Sequence, residues 1–239
     1  MRCLAAIALI AAVALPAPGR ATWSIVAVDP RTGEVGSAGA SCTPFVAGIA
    51  RLVPGRGAVV AQAASNMAAK GQAAELIEAG RGAKSIIAVI TAPGFDPSFS
   101  EQQYGVAVIG PDRRAQAAAF TGNATATARG HRVGATFAVQ GNILVSDKVI
   151  DASAAAMAAT APMPLAERLM RALEAGSRAG GDRRCPGRTA QSAYLGVARP
   201  GDSPSHPSLR IIVGLDDDDP RNPIAEVRRR FGQQRRSAD

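Results

Sequence analysis

Apolar residues enter this chain in short runs whose spacing divides it into strands and helices before any chemistry is considered. Trp23 to Val28 is rich in β-formers, Asp29-Pro30-Arg31-Thr32-Gly33-Glu34 punctuates it, and Val35 to Ser41 resumes as a strand of small residues. This reads as a β-hairpin. If Asp29 pairs with Glu34, the continued register puts Ser41 directly across from Thr22 and on the same face. A slip of one residue would turn the two apart.

Further on, Ala58 to Ala64 is an apolar strand, after which Ser65 and Asn66 cap a helix running toward Gly80. A second helix spans Ala83 to Ala92 and stops at Pro93-Gly94; Phe95 to Gln103 reads as a loop. Tyr104 to Ile109 and Ala115 to Phe120 form another hairpin around Gly110-Pro111-Asp112-Arg113, while Gly122 to Gly134 reads as irregular chain carrying His131 and Arg132. Phe137 to Leu144 is strand-like and contains a Gly-Asn step. Helical patterning follows over Ser146 to Ala161 and Pro164 to about Ala179, with Leu165, Leu169 and Leu173 on one face. Strands over Ser192 to Ala198 and Leu209 to Leu215 flank a Pro- and Ser-rich loop, and Asn222-Pro223 opens a last amphipathic helix with Ile224, Val227 and Phe231 inward. Strands grouped between pairs of helices point to antiparallel sheets with helices outside, an α+β fold.

The first residues belong to a different pattern. Met1-Arg2-Cys3 is a short basic start, Leu4 to Leu15 is unbroken apolar chain, and Pro16 to Ala21 is a small-residue exit. That run suits a secretory signal peptide and is too short to span a bilayer. Gly19 and Ala21 fit the small positions before a cut, so the reading is a signal peptide over 1–21 and one domain over 22–239. The mature protein is then periplasmic or secreted, without a stable membrane anchor.

Such a cut leaves Thr22 first, with a hydroxyl nucleophile beside its own α-amine, a base of near-neutral pKa. Asn142, at the Gly-Asn step, is a candidate donor to a developing oxyanion or a turn residue. Ser41 orients the amine or merely packs tightly. Asn66 caps a helix or touches substrate. His131 and Arg132 reach a substrate carboxylate or are solvated; Asp182 and Arg183 clamp a ligand, tune the amine or pair with each other. Asp216 to Asp219 reads as an exposed turn.

Charge and composition mainly exclude. The formal net charge is +8, with arginines clustered at 183–188 and 228–236, but aromatic residues are only 4% and no nucleic-acid motif accompanies them. Nucleic acid is therefore not an expected partner; a basic tail on an anionic envelope polymer is a weaker third reading. The two histidines, His131 and His206, lack metal-ligand spacing, and no phosphate loop or nucleophile elbow occurs, so neither a metal nor another cofactor is expected. Outside the leader two cysteines remain, Cys42 and Cys185, which an oxidising compartment permits to pair.

Several blocks together resemble one family. TWSIVAVDPRTGEVGSAGAS, AAFTGNA, GHRVG followed by VQGNIL, PLAERLMRALEAG with GGDRR, QSAYLGV and LRIIVGLDDDDPRNPIAEVRRRF are similar to bacterial proteins of domain of unknown function family 1028. The resemblance implies an αββα sandwich like that of N-terminal nucleophile (Ntn) hydrolases. Its members commonly begin Met-Thr, so methionine removal would expose the threonine that a signal cut exposes here. SCTPF and CPGRTA depart from the family pattern, and each brings in one of the two cysteines. The resulting expectation is an exported amide-bond hydrolase acting on a small amide or peptide-like substrate; the alternative is a catalytically silent binding domain on the same fold. Pairing of copies through the helices, as this fold often shows, is left open.

Overall fold

The structure, a computed structural model, describes residues 22–237, so the leader expected over 1–21 lies outside the described residues. Ten strands and five α-helices follow in chain order: β1 Thr22–Asp29, β2 Glu34–Ser41, β3 Ala50–Val53, β4 Gly57–Ala63, α1 Met67–Glu78, α2 Ala83–Ile90, β5 Gln102–Ile109, β6 Ala115–Thr121, β7 Gly130–Val133, β8 Phe137–Asn142, α3 Lys148–Ala159, α4 Leu165–Arg178, β9 Ser192–Ala198, β10 Leu209–Gly214 and α5 Pro223–Arg236. Strands pair antiparallel into a six-stranded sheet, β10-β9-β2-β1-β8-β7, and a four-stranded sheet, β3-β4-β5-β6.

Three apolar layers hold these sheets. Trp23, Ile25 and Ala27 of β1 point outward against Leu165, Leu169 and Leu173 of α4, with Met157 of α3 and Val227 and Phe231 of α5 in the same cluster. Val26 and Val28 alternate to the other face and meet Ala58, Val60, Ala107 and Ala138 between the sheets. Val59, Ala61, Tyr104 and Val106 close the four-stranded sheet onto α1 and α2. The fold is thus α+β, helices and sheets stacked αββα. β1 is buried on both faces, which is why its sequence alternates so weakly.

The predicted hairpin register holds: Asp29 pairs with Glu34 and Trp23 with Ala40. Asn66 caps α1 by accepting from Ala69 N at 3.0 Å, and Asn222 caps α5. Two strands were not expected. β3 lies in a stretch that the sequence pattern leaves unassigned, and β7 turns the supposedly irregular His131 and Arg132 into strand residues. Both have four residues and lie at sheet edges, where half the backbone groups face away from a partner and little apolar alternation is needed. β5 also begins at Gln102, inside the predicted loop, because Gln102 and Gln103 pair with Ala63 and Gln62. Among the described residues no helix is long and apolar enough to cross a membrane.

Candidate active site

Alternation along β1 sends Thr22, Ser24, Val26 and Val28 to the face between the sheets, so Thr22 stands at the end of the inter-sheet space. Register places Asn142 of β8 beside it on one side. On the other side Ser41 of β2 adjoins it, and Ser192 of β9 pairs in turn with Ser41. Four polar side chains therefore form a row across four strands. All four are buried, Thr22 at 2% exposure.

Contacts at Thr22 use each of its polar groups. Its N–H donates to Asn142 Oδ1 at 3.1 Å, its hydroxyl donates to Ser41 Oγ at 3.3 Å, and its carbonyl accepts from Gln62 Nε2 at 3.2 Å. Thr43 Oγ1 also donates to Ser41 Oγ at 3.1 Å. Asn142 thus holds the nitrogen and Ser41 the hydroxyl oxygen. Beside Thr22 lies a cavity of about 20 Å³ lined by Phe45, Val46, Ile49, Gln62 and Ser65 among others, enough for roughly one water.

Backbone strain gathers at the same end. Ala63, Ser65 and Ile143 have φ of 67°, 58° and 53°, and they flank Gln62 and Asn142 in sequence. A β-branched residue such as Ile143 rarely adopts this region, and such strain costs roughly 1–3 kcal/mol per residue. The surrounding hydrogen bonds that hold it include Ile143 N to Thr127 O and Arg183 N to Ile143 O.

Behind Thr22 runs a buried relay that pattern reading missed. Gln62 Oε1 accepts from Ser24 Oγ at 2.6 Å, and Gln62 Nε2 lies 2.7 Å from Gln103 Oε1. Gln103 Nε2 reaches Thr121 Oγ1 at 2.9 Å and Gly141 O at 2.9 Å, and Thr121 Oγ1 meets His131 Nδ1 at 2.9 Å. Gln140 Nε2 donates to Ser24 Oγ at 2.6 Å. The signal in the sequence was a glutamine inside otherwise apolar strands, AVVAQAA and FAVQGN, where only a buried partner offsets its desolvation.

The remaining candidates are placed differently from one another. His131 faces the space between the sheets and joins Thr22 through this relay; burial, then the neighbouring Arg132 charge, lowers its pKa. Arg132 points to α3 and pairs with Asp151 at 2.8 Å. Asn66 caps α1 and its Nδ2 donates to Asp96 Oδ2 at 2.9 Å. Asp182 is buried: Oδ2 accepts from Cys42 N at 2.7 Å and Arg184, not Arg183, pairs with it at 3.0 Å. Cys42 and Cys185 are joined, with Cα atoms 5.7 Å apart, well within disulfide range. The bond ties the loop between α4 and β9, residues 182–189, to the residue following Ser41. No group of three metal-ligating side chains occurs among the described residues.

Comparison with known proteins agrees with this architecture. A family model described as "Family of unknown function (DUF1028)" matches residues 22–227. The crystal structure of protein SPO2555 from Silicibacter pomeroyi, of the same family, superposes with a TM-score of 0.73 at 24% identity, covering 89% of this chain and 88% of that one. Anbu (ancestral beta-subunit) from Yersinia bercovieri aligns at a TM-score of 0.44 and 9% identity, over 91% of this chain and 96% of that one. No curated protein matches the chain.

Proposed function

This chain belongs to the DUF1028 family, described as of unknown function, and from that premise we propose that it is an exported amide-bond hydrolase of the N-terminal-nucleophile type. Cleavage after Ala21 makes Thr22 the first residue. The observation that carries the reading is the division of labour at Thr22, with the nitrogen on Asn142 and the hydroxyl on Ser41 at the end of the inter-sheet space. A free amine held there lies beside its own hydroxyl, in position to take the hydroxyl proton as Oγ1 attacks an amide carbonyl carbon. The C–N bond then breaks, the leaving amine receives that proton, and water hydrolyses the threonyl ester. We assign the Nδ2 group of Asn142 to the developing oxyanion. The family match begins at Thr22, and the αββα layering is the one expected of such enzymes; both support the reading.

One observation favours a second reading, a silent binding domain for a small amide or peptide-like ligand. The space beside Thr22 holds about one water, too little for a substrate carbonyl to reach the hydroxyl, so a ligand of this domain would bind away from Thr22 and not be turned over. The discriminating experiment is intact mass and terminal sequencing of protein recovered from the periplasm of an expression host, before and after exposure to a β-lactone. A chain starting at Thr22 that gains one adduct, lost in Thr22→Ala, supports the hydrolase. A different first residue, or no adduct at Thr22, leaves the binding domain.

A further inference from the structure

The two sheets are unequal in width, and the narrower one ends at β3. β3 packs over β2 and β9, so the six-stranded sheet runs on past that edge through β10. A cavity of about 300 Å³ occupies the step.

Register decides what β3 offers there. Arg56 O accepts from Ile109 N, and in the antiparallel ladder that follows, Ala58 and Val60 are the β4 residues that bond to β5. Gly57 and Val59 therefore turn their backbone groups to Val53 and Arg51 of β3. Ala50 and Leu52 point theirs the opposite way, along the free edge. Ala50 N–H donates to Ala47 O. Among the described residues no hydrogen-bond partner reaches Ala50 O, Leu52 N–H or Leu52 O, and the cavity lies against this stretch of strand.

Side chains sort by the same alternation. Leu52 packs toward the layer between the sheets, while Arg51 shares the parity of Val53, which packs with α1. On β10, Leu209, Ile211 and Val213 face the helices, so Arg210 and Ile212 face the step. Gly196 of β9 lies under Leu52, where an added Cβ would meet Leu52 Cδ1 at 3.5 Å, and Arg210 is the cross-strand partner of Gly196. Strands are spaced about 4.8 Å apart in either sheet, so a strand added beside Leu52 would lie above Arg210. Gly55 in the β3–β4 turn approaches Pro200 just past β9; β3 thus runs with β9, and Ala50 lies toward Tyr194 and its partner Ile212. Arg210 is exposed, its side chain makes no ion pair or hydrogen bond among the described residues, and no carboxylate lines the cavity.

We propose that this step binds an extended peptide segment as an added antiparallel strand on β3, with an acidic residue opposite Leu52 and an apolar residue two places on. The acidic residue exchanges two main-chain hydrogen bonds with Leu52, and its side chain, on the same face as that of Leu52, meets the Arg210 guanidinium. Two residues further the peptide N–H donates to Ala50 O, and an apolar side chain lies over Ile212, two residues beyond Arg210 on β10. Main-chain bonds at an open edge supply affinity, and alternate side chains supply specificity. The site is distinct from Thr22. Ile49 lines the Thr22 cavity while Ala47 and Ala50 line the step, so the 47–50 segment stands between them. The inference goes beyond the hydrolase reading and does not rest on it.

The test titrates purified protein with the peptide Thr-Glu-Thr-Val-Thr, acetylated and amidated at its ends, using calorimetry for affinity and amide hydrogen exchange for position. In free protein the Leu52 N–H should exchange faster than that of Arg51, which bonds to β4. Saturating peptide should slow Leu52 at least about tenfold and leave Arg51 unchanged. A Gln in place of the peptide's Glu, or Arg210→Gln in the protein, should weaken binding by at least about tenfold, the smallest loss for a charge-assisted hydrogen bond. N-methylation of the peptide's Glu removes the donor to Leu52 O and should abolish binding. Leu52→Pro, which deletes an outward N–H and no bond to β4, should do the same, and Thr22→Ala should leave affinity unchanged. Absence of saturable binding, an unprotected Leu52 at saturation, or full affinity with the N-methyl peptide or in Arg210→Gln would overturn the proposal. Protection of Leu52 that grows with protein concentration in the absence of peptide would put a second copy on this edge and overturn the assigned occupant.

Discussion

Thr22 and Ser41 stand across the open ends of one hairpin, their hydroxyl oxygens 3.3 Å apart, while the turn that joins their strands lies at the opposite end of the sandwich. Turn chemistry at residues 30–33 thus sets side-chain geometry eight residues away, because antiparallel register propagates without slip when both faces of β1 are buried.

That geometry predicts unequal roles for the two neighbours. In cleaved protein, Asn142→Ala should slow β-lactone labelling of Thr22 by roughly 10²–10³, the usual loss for an oxyanion donor, while Ser41→Ala should cost about tenfold or less, since another acceptor or water can take the hydroxyl proton. Rate constants from time-resolved intact mass decide this. Parent-like labelling in Asn142→Ala would remove that residue from the chemistry.

Reduction of the Cys42–Cys185 bond should destabilise the fold by about 3–5 kcal/mol, because it closes a loop with a sequence separation of 143 and loop-closure entropy grows with length. Urea denaturation of the parent with and without reductant, against Cys42→Ser with Cys185→Ser, measures it. The double variant should match reduced parent; unchanged midpoints in all three would count against a structural bond.

Gln62→Leu should cost about 3 kcal/mol or more. It leaves the Thr22 carbonyl, Ser24 Oγ and Gln103 Oε1 without the partner each has now, and buried polar groups that lose partners carry their full desolvation penalty. Equilibrium unfolding gives the value, and a cost below about 1 kcal/mol would mean that water replaces the relay.

Stability should also fall as pH drops below the ordinary histidine value of 6.5. Burial holds the folded His131 pKa beneath that value, so in the window between the two the unfolded chain binds a proton that the folded chain does not. Above the window both states are neutral and the contribution vanishes. Melting temperatures of parent and His131→Gln at about pH 7.5 and pH 5.5 test it: the parent should lose more than the variant, and equal losses would contradict a half-buried, neutral His131.

Much of the site could be read locally. Thr22, Ser41 and their shared face followed from one hairpin; Asn66 and Asn222 announced their helices because capping is decided within a few residues. Asn142 was singled out from its Gly-Asn step, but its place beside Thr22 depends on β1 pairing with β8. His131 and Arg132 looked alike in sequence, yet strand alternation sends one toward Thr121 and the other to Asp151.

Local order, then, was determined by the sequence itself: periodicity, turns and caps act over a few residues and fix strands, helices and the β1–β2 register. The tertiary structure decided which distant strands became neighbours, and with that the Gln62–Gln103–Thr121–His131 relay and the contact between Asn142 and Thr22, residues 120 apart. Such pairings arise from packing two sheets with unequal strand numbers, and no spacing along one strand carries that information.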